Sequence, residues 1–176
     1  MRIRRLTPPD RGALCQLLAD SGTFNDEEIR VALEVIDDAL AEPGKDYHVL
    51  VAENADGQVA SYVCYGPTPM TEATFDLYWI ATHPDARGQG LASRLVRQME
   101  AELASARTCT VRIETSQLES YGAARVFYER AGYAEVGRIR DFYKPGDDLI
   151  TFAKRLEPRA WREEGATREP AALDVG

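Results

Sequence analysis

The sequence predicts a single α/β (α+β) domain in which a mixed, mostly antiparallel sheet of six or seven strands is flanked by about four helices. Three observations predict it. Helical and strand-like segments alternate along the chain, with no internal repeat. Two strand-like runs are joined through Asp56-Gly57, a strong hairpin signal. A glycine-bearing turn at Gly88 and Gly90 opens a helix that lies between two strands, so those two strands form a parallel pair. The 176 residues make one domain by length and suffice to bury a continuous core. The domain is placed at residues 1–156. Residues 157–176 carry proline and charge without periodicity and are expected to form a flexible tail.

Taken in order, Arg2 to Leu6 alternates basic and apolar residues as a short edge strand does, and Thr7 before Pro8-Pro9-Asp10 starts a helix through Leu14, Leu17 and Leu18. Asn25 with Glu28 three residues on is a capping-box pattern, and Ile29, Leu33, Ile36 and Leu40 continue a second amphipathic helix up to Pro43-Gly44. Tyr47 to Ala52 and Gln58 to Tyr65 form the hairpin. Gly66-Pro67-Thr68-Pro69 breaks the chain, and Thr74 to Ala81, rich in aromatic and β-branched residues, is a further strand. Leu91, Leu95, Met99 and Leu103 share one helix face, and Thr110 to Glu114 is again a strand. Tyr121 to Ala131 reads as a helix closed by Gly132, and two last strands flank Lys144-Pro145-Gly146-Asp147.

A hydrophobic share of 44% and a charged share of 28% are ordinary globular usage. The formal charge of -8 excludes nucleic-acid backbone as the main partner and suits a small cationic one. Cys15, Cys64 and Cys109 stand apart, without a CxxC pair or a histidine set, so no metal site is expected. No apolar run approaches a membrane span and no signal-type h-region follows the N-terminal arginines, which points to a cytoplasmic location and no membrane contact.

The most informative stretch is Arg87-Gly88-Gln89-Gly90-Leu91-Ala92. A helix start exposes unpaired N–H groups and a positive dipole end, and glycines let the backbone approach a phosphate without a Cβ in the way. The same six residues also fit a plain strand-to-helix turn. A Rossmann dinucleotide site is disfavoured: Ser93 replaces the third glycine, five residues separate the strand from Gly88, and a hairpin precedes it. No GxxxxGK[ST] pattern exists.

The segment YWIATHPDARGQGLASRLV resembles the cofactor signature (Q/R)xxGx(G/A) of the GCN5-related N-acetyltransferases, the GNAT family, with Arg87, Gly90 and Ala92 in the matching places. A second match runs from Ala124 through Phe127-Tyr128 to Gly132-Tyr133, similar to the family's late helix AxxFYxxxGF. The resemblance implies the GNAT fold, acetyl-CoA as co-substrate and transfer of acetyl to an amine acceptor. It also implies that the amides of Arg87, Gly88, Gln89, Gly90, Leu91 and Ala92 hold the diphosphate, that Ile80 and Thr82 pair with pantetheine, and that Ile80 or Ala81 supplies an oxyanion donor. Tyr128 falls where many relatives carry the acid that protonates the thiolate. Tyr121 stands where an asparagine touching the cofactor is frequent, so the sequence departs from the family there. Glu114 matches the base glutamate of ribosomal-protein alanine acetyltransferases, with a slightly longer spacing to Tyr128, and fits a solvated strand end equally well.

An alkylammonium cannot attack until it loses a proton, which calls for a carboxylate; Glu114 is the first candidate and Asp76 the second. Acceptor specificity in the family comes from the loop between the first two helices, here Ser21 to Asn25 with Phe24, and from the last hairpin, with Asp141, Tyr143, Asp147 and Asp148. Asp141 and Tyr143 also fit turn-flanking surface positions. His83 and His48 read as structural. A non-catalytic acyl-CoA-binding module is the alternative to an enzyme, and a homodimer through an edge strand is compatible with either.

Overall fold

The computed structural model describes residues 2–158. The element order is β1 (Ile3–Arg5), α1 (Asp10–Asp20), α2 (Asp26–Ala41), β2 (His48–Glu53), β3 (Val59–Pro67), β4 (Thr74–Thr82), α3 (Leu91–Ala106), β5 (Cys109–Ser116), α4 (Gly122–Arg130), β6 (Ala134–Lys144) and β7 (Asp147–Leu156). These strands form one sheet in the order β1-β2-β3-β4-β5-β7-β6, antiparallel throughout except for β4 beside β5. The expected tail lies outside the described residues from position 159 on.

Local chemistry explains most element ends. Asn25 Oδ1 accepts from the Glu28 amide at 2.9 Å and Glu28 Oε2 accepts from the Asn25 amide at 2.8 Å, the reciprocal capping box that starts α2. Gly132 closes α4 with a φ of 86°, and Gly146 takes 83° after Pro145, the type II turn that joins β6 to β7. The start of α1 differs from the expectation. Thr7 lies outside the helix, whose first residue is Asp10, and the Asp10 carboxylate instead accepts from the Thr7 amide and hydroxyl. Arg4 adds two further bonds to Asp10, and its guanidinium holds that buried carboxyl down at about 2.

Strand alternation sorts the apolar side chains onto two faces. Leu50, Val63, Tyr65 and Leu77 face α3 and α4, while Val49, Val51, Tyr62 and Cys64 face α1 and α2. Burial pushes the Cys64 thiol up to about 12, which leaves it an inert core residue.

The feature that makes room for a site is the parallel pair. β4 and β5 are joined only from Thr74↔Thr110 to Asp76↔Arg112, and beyond that rung they diverge. At the rung Arg112 Nε donates to Asp76 Oδ1 at 2.6 Å, and Thr68 donates to the other oxygen at 2.8 Å. On the neighbouring rung of β3, a Cβ on Gly66 would fall 2.0 Å from the Asp46 carbonyl oxygen. Gly66→Ala is therefore expected to cost about 1–3 kcal/mol. In a domain of this size that lowers the melting temperature by roughly 2–4 °C per kcal/mol in a thermal scan. An unchanged melting temperature would show that the Asp46 backbone gives way freely.

Candidate functional site

A cavity of about 1120 Å³ fills the gap between the diverging ends of β4 and β5. Its wall also takes residues from the α1–α2 loop, the start of α3, α4 and the β6–β7 hairpin. Of the residues singled out in the sequence, Phe24, Ile80, Ala81, Thr82, Arg87, Gly88, Gly90, Leu91, Ala92, Glu114, Tyr121, Tyr128 and Tyr143 stand in that wall.

One end is the turn into α3. Gly88 and Gly90 have φ values of 78° and 75°, a left-handed region open to glycine at no steric cost, and a Cβ on either would meet no atom within 4 Å. Backbone conformation, not crowding, is what demands glycine here. Among the described residues, no N–H from Gly88 to Ser93 has an acceptor; the first satisfied amide of α3 is Arg94, bonded to the Gly90 carbonyl. A run of open donors at the positive end of a sixteen-residue helix has the form of an anion cradle. The Arg87 amide corrects the expectation, since it donates to Pro84 O at 3.1 Å and is not free. Its guanidinium donates to Ser21 O at 2.6 Å, tying the cradle to the end of α1. The Gln89 side chain turns back to Asp85 O and stands outside the wall.

Along β4 the ladder decides which main-chain groups face the gap. The His83 amide donates to Ala60 O in the direction of β3. Alternation then aims Ala81 toward β3 and Ile80 and Thr82 toward the cavity. The Ala81 side chain lies in the α1–α2 core, and its carbonyl accepts from Ser61 Oγ on β3. An extended segment laid beside β4 would find donors and acceptors at Ile80 and Thr82.

Tyr128 is buried on α4 against Phe127, Tyr133 and Phe152, with ring centroids 5.7, 6.5 and 5.8 Å away. Its hydroxyl has no hydrogen-bond partner among the described residues, yet it is not sealed in as those of Tyr62 and Tyr133 are. Burial raises its pKa well above the usual tyrosine value, so the hydroxyl keeps its proton at neutral pH.

The carboxylates divide. Glu114 is in the wall and half exposed, with one oxygen accepting from Arg112 Nη1 at 3.1 Å. Asp76, expected as a base or acceptor contact, is outside the wall with both oxygens bonded, and its task is to pin the rung where the strands part. Asp141 is outside the wall too. It takes a φ of 52° and its Oδ1 accepts from the Gly146 amide at 2.6 Å, which makes it a turn residue of the last hairpin. Tyr143 does reach the cavity, its ring edge-on to Phe142 at 5.0 Å. Phe24 likewise packs edge-on to Trp79 at 5.4 Å.

Tyr121, also in the wall, donates its hydroxyl to Glu28 Oε1 at 2.6 Å. Burial, and then that bond, raises its pKa. Asp147 of the last hairpin is in the wall as well, and Glu28 is a wall residue that sequence reasoning did not place there. Glu28 carried only a capping signal.

The GNAT acetyltransferase domain family matches residues 45–135. No curated protein matches the chain. Among solved structures, a GNAT-family protein from Desulfovibrio desulfuricans is 36% identical, with a TM-score of 0.81 over 87% of this chain and 97% of that one. An aminoglycoside 6′-N-acetyltransferase complexed with coenzyme A is 19% identical, with a TM-score of 0.69 over 90% of this chain and 99% of its own. The ribosomal-protein-S18-alanine N-acetyltransferase of Escherichia coli is 20% identical, with a TM-score of 0.68 over 99% of this chain and 98% of its own. The seven-stranded sheet splayed at one parallel rung, the open amides leading into α3 and these matches agree: the chain belongs to the GNAT family of acetyltransferases.

Proposed function

We propose that this protein transfers an acetyl group from acetyl-CoA to a primary amine by direct attack within a ternary complex. The observation that carries the reading is the joining, in one cavity, of a run of open amides with the unpartnered hydroxyl of a buried tyrosine and a carboxylate. The Gly88–Ser93 amides hold the diphosphate, and the main chain at Ile80 and Thr82 holds the pantetheine as an added strand. Glu114, directly or through water, accepts a proton from the ammonium. The amine nitrogen then bonds to the thioester carbon, whose oxygen takes negative charge beside the Ile80 amide. As the carbon–sulfur bond breaks, Tyr128 gives its proton to the sulfur; the nitrogen passes its remaining extra proton through water to the Tyr128 oxygen, leaving a neutral amide, and Glu114 releases its proton to solvent. No cysteine need carry the acetyl group. Among the described residues, no helix is long and apolar enough to cross a membrane.

The test is release of free thiol from acetyl-CoA with a panel of amines. Thiol release that depends on the amine, and that in Glu114→Gln falls by roughly 10²-fold, is expected. The loss should be deepest at neutral pH and shrink as pH rises toward the pKa of the free amine, because the base is needed only while the amine is protonated. Tight acetyl-CoA binding with no amine-dependent thiol release would mark a binding module instead.

A further inference from the structure

Asp147 is 4% exposed yet stands in the cavity wall at the start of β7. One of its oxygens accepts from Ser116 Oγ. The other has no partner among the described residues and is not enclosed, so it opens on the cavity. Lys144, opposite it in the β6–β7 register and also in the wall, forms no ion pair with it. The other cation of the wall, Arg87, is bonded to Ser21 O at the cradle. A carboxylate taken out of water with half of its hydrogen-bonding capacity unmet is costly unless a cation completes it. The remaining charges of this end are negative. Glu28 is occupied by Asn25 and Tyr121, and Glu114 keeps a free oxygen; both charges, with that of Asp147, act on Tyr143, whose pKa is raised first by burial and then by them.

Two carboxylates with open oxygens need two different partners during transfer. The group beside Glu114 must become a neutral amine in order to attack. Beside Asp147 a neutral nitrogen would leave the buried charge uncompensated. We propose that Asp147 anchors a second ammonium of the acceptor, one that stays charged through the reaction, so that the substrate class is a diamine or polyamine. This rests on the acetyltransferase reading above.

The experiment compares putrescine and spermidine with n-butylamine, which offers the same reacting group and no second charge. In the wild-type protein kcat/KM is expected to be roughly tenfold to a hundredfold higher for the two polyamines, the difference residing in KM. In Asp147→Asn the preference falls to about unity, because asparagine still accepts from Ser116 Oγ but carries no charge. The KM for acetyl-CoA and the melting temperature of that variant stay as in the wild type. Equal kcat/KM for butylamine and putrescine in the wild type, or a polyamine preference that survives Asp147→Asn, overturns the assignment. Calorimetry of spermidine against the protein saturated with CoA separates the two readings. Binding lost in Asp147→Asn, with no thiol release from any amine, keeps the anchor and removes the transferase.

Discussion

Gly90→Val is expected to raise the dissociation constant for acetyl-CoA by on the order of 10²-fold, measured by calorimetry. The cause is conformational. Gly90 is the residue before α3 and holds a φ of 75°, where a β-branched residue is a true outlier costing about 1–2 kcal/mol or more. Relief of that strain rotates the neighbouring peptide planes, and the open amides of Gly88 to Ser93 no longer converge on one anion. Each amide-to-phosphate bond is worth roughly 1.5–3 kcal/mol, so the loss of one or two reaches the stated change. Because a Cβ at Gly90 meets no atom within 4 Å, the fold itself loses only the strain energy. The melting temperature should fall by a few degrees while cofactor binding fails. Unaltered affinity in this variant would show that the turn into α3 is not the diphosphate site.

Tyr128→Phe is expected to lower kcat by roughly 10²-fold, with the KM for acetyl-CoA and the melting temperature nearly unchanged. Removal of a tyrosine hydroxyl usually breaks an internal bond, but that of Tyr128 has no partner among the described residues, so the ring packing against Phe127, Tyr133 and Phe152 survives intact. What is lost is a proton donor. A thiol of pKa about 8.5 is a tolerable leaving group even without help, which keeps the variant measurably active. Since burial raises the Tyr128 pKa, the hydroxyl remains an acid across the range in which the amine loses its proton. The wild-type rate should therefore climb with pH and show no descending limb from Tyr128 below about pH 10. A kcat in Tyr128→Phe equal to the wild type would leave that hydroxyl with no part in thiolate protonation.

The family, the elements of the sheet and the glycine turn into α3 were legible in the sequence because each rests on short-range chemistry. A capping box needs Asn25 and Glu28 three residues apart, the last hairpin needs Pro145-Gly146, and the cradle needs glycines at two neighbouring positive φ values ahead of an amphipathic helix. Such patterns act within one turn of chain, so the amino-acid order alone determines them. The fate of each carboxylate was not legible, because it is decided by a partner far along the chain. Asp76 is removed from the site by Arg112, 36 residues away, and Glu28 is drawn to it by Tyr121, 93 residues away. Asp141 and Asp147 lie six positions apart in one hairpin, yet the first folds onto its own turn and the second is buried against Ser116 with an oxygen facing the cavity. Identical side chains diverge because desolvation and pairing, which set what a carboxylate can do, exist only once β5, β6 and β7 are packed together.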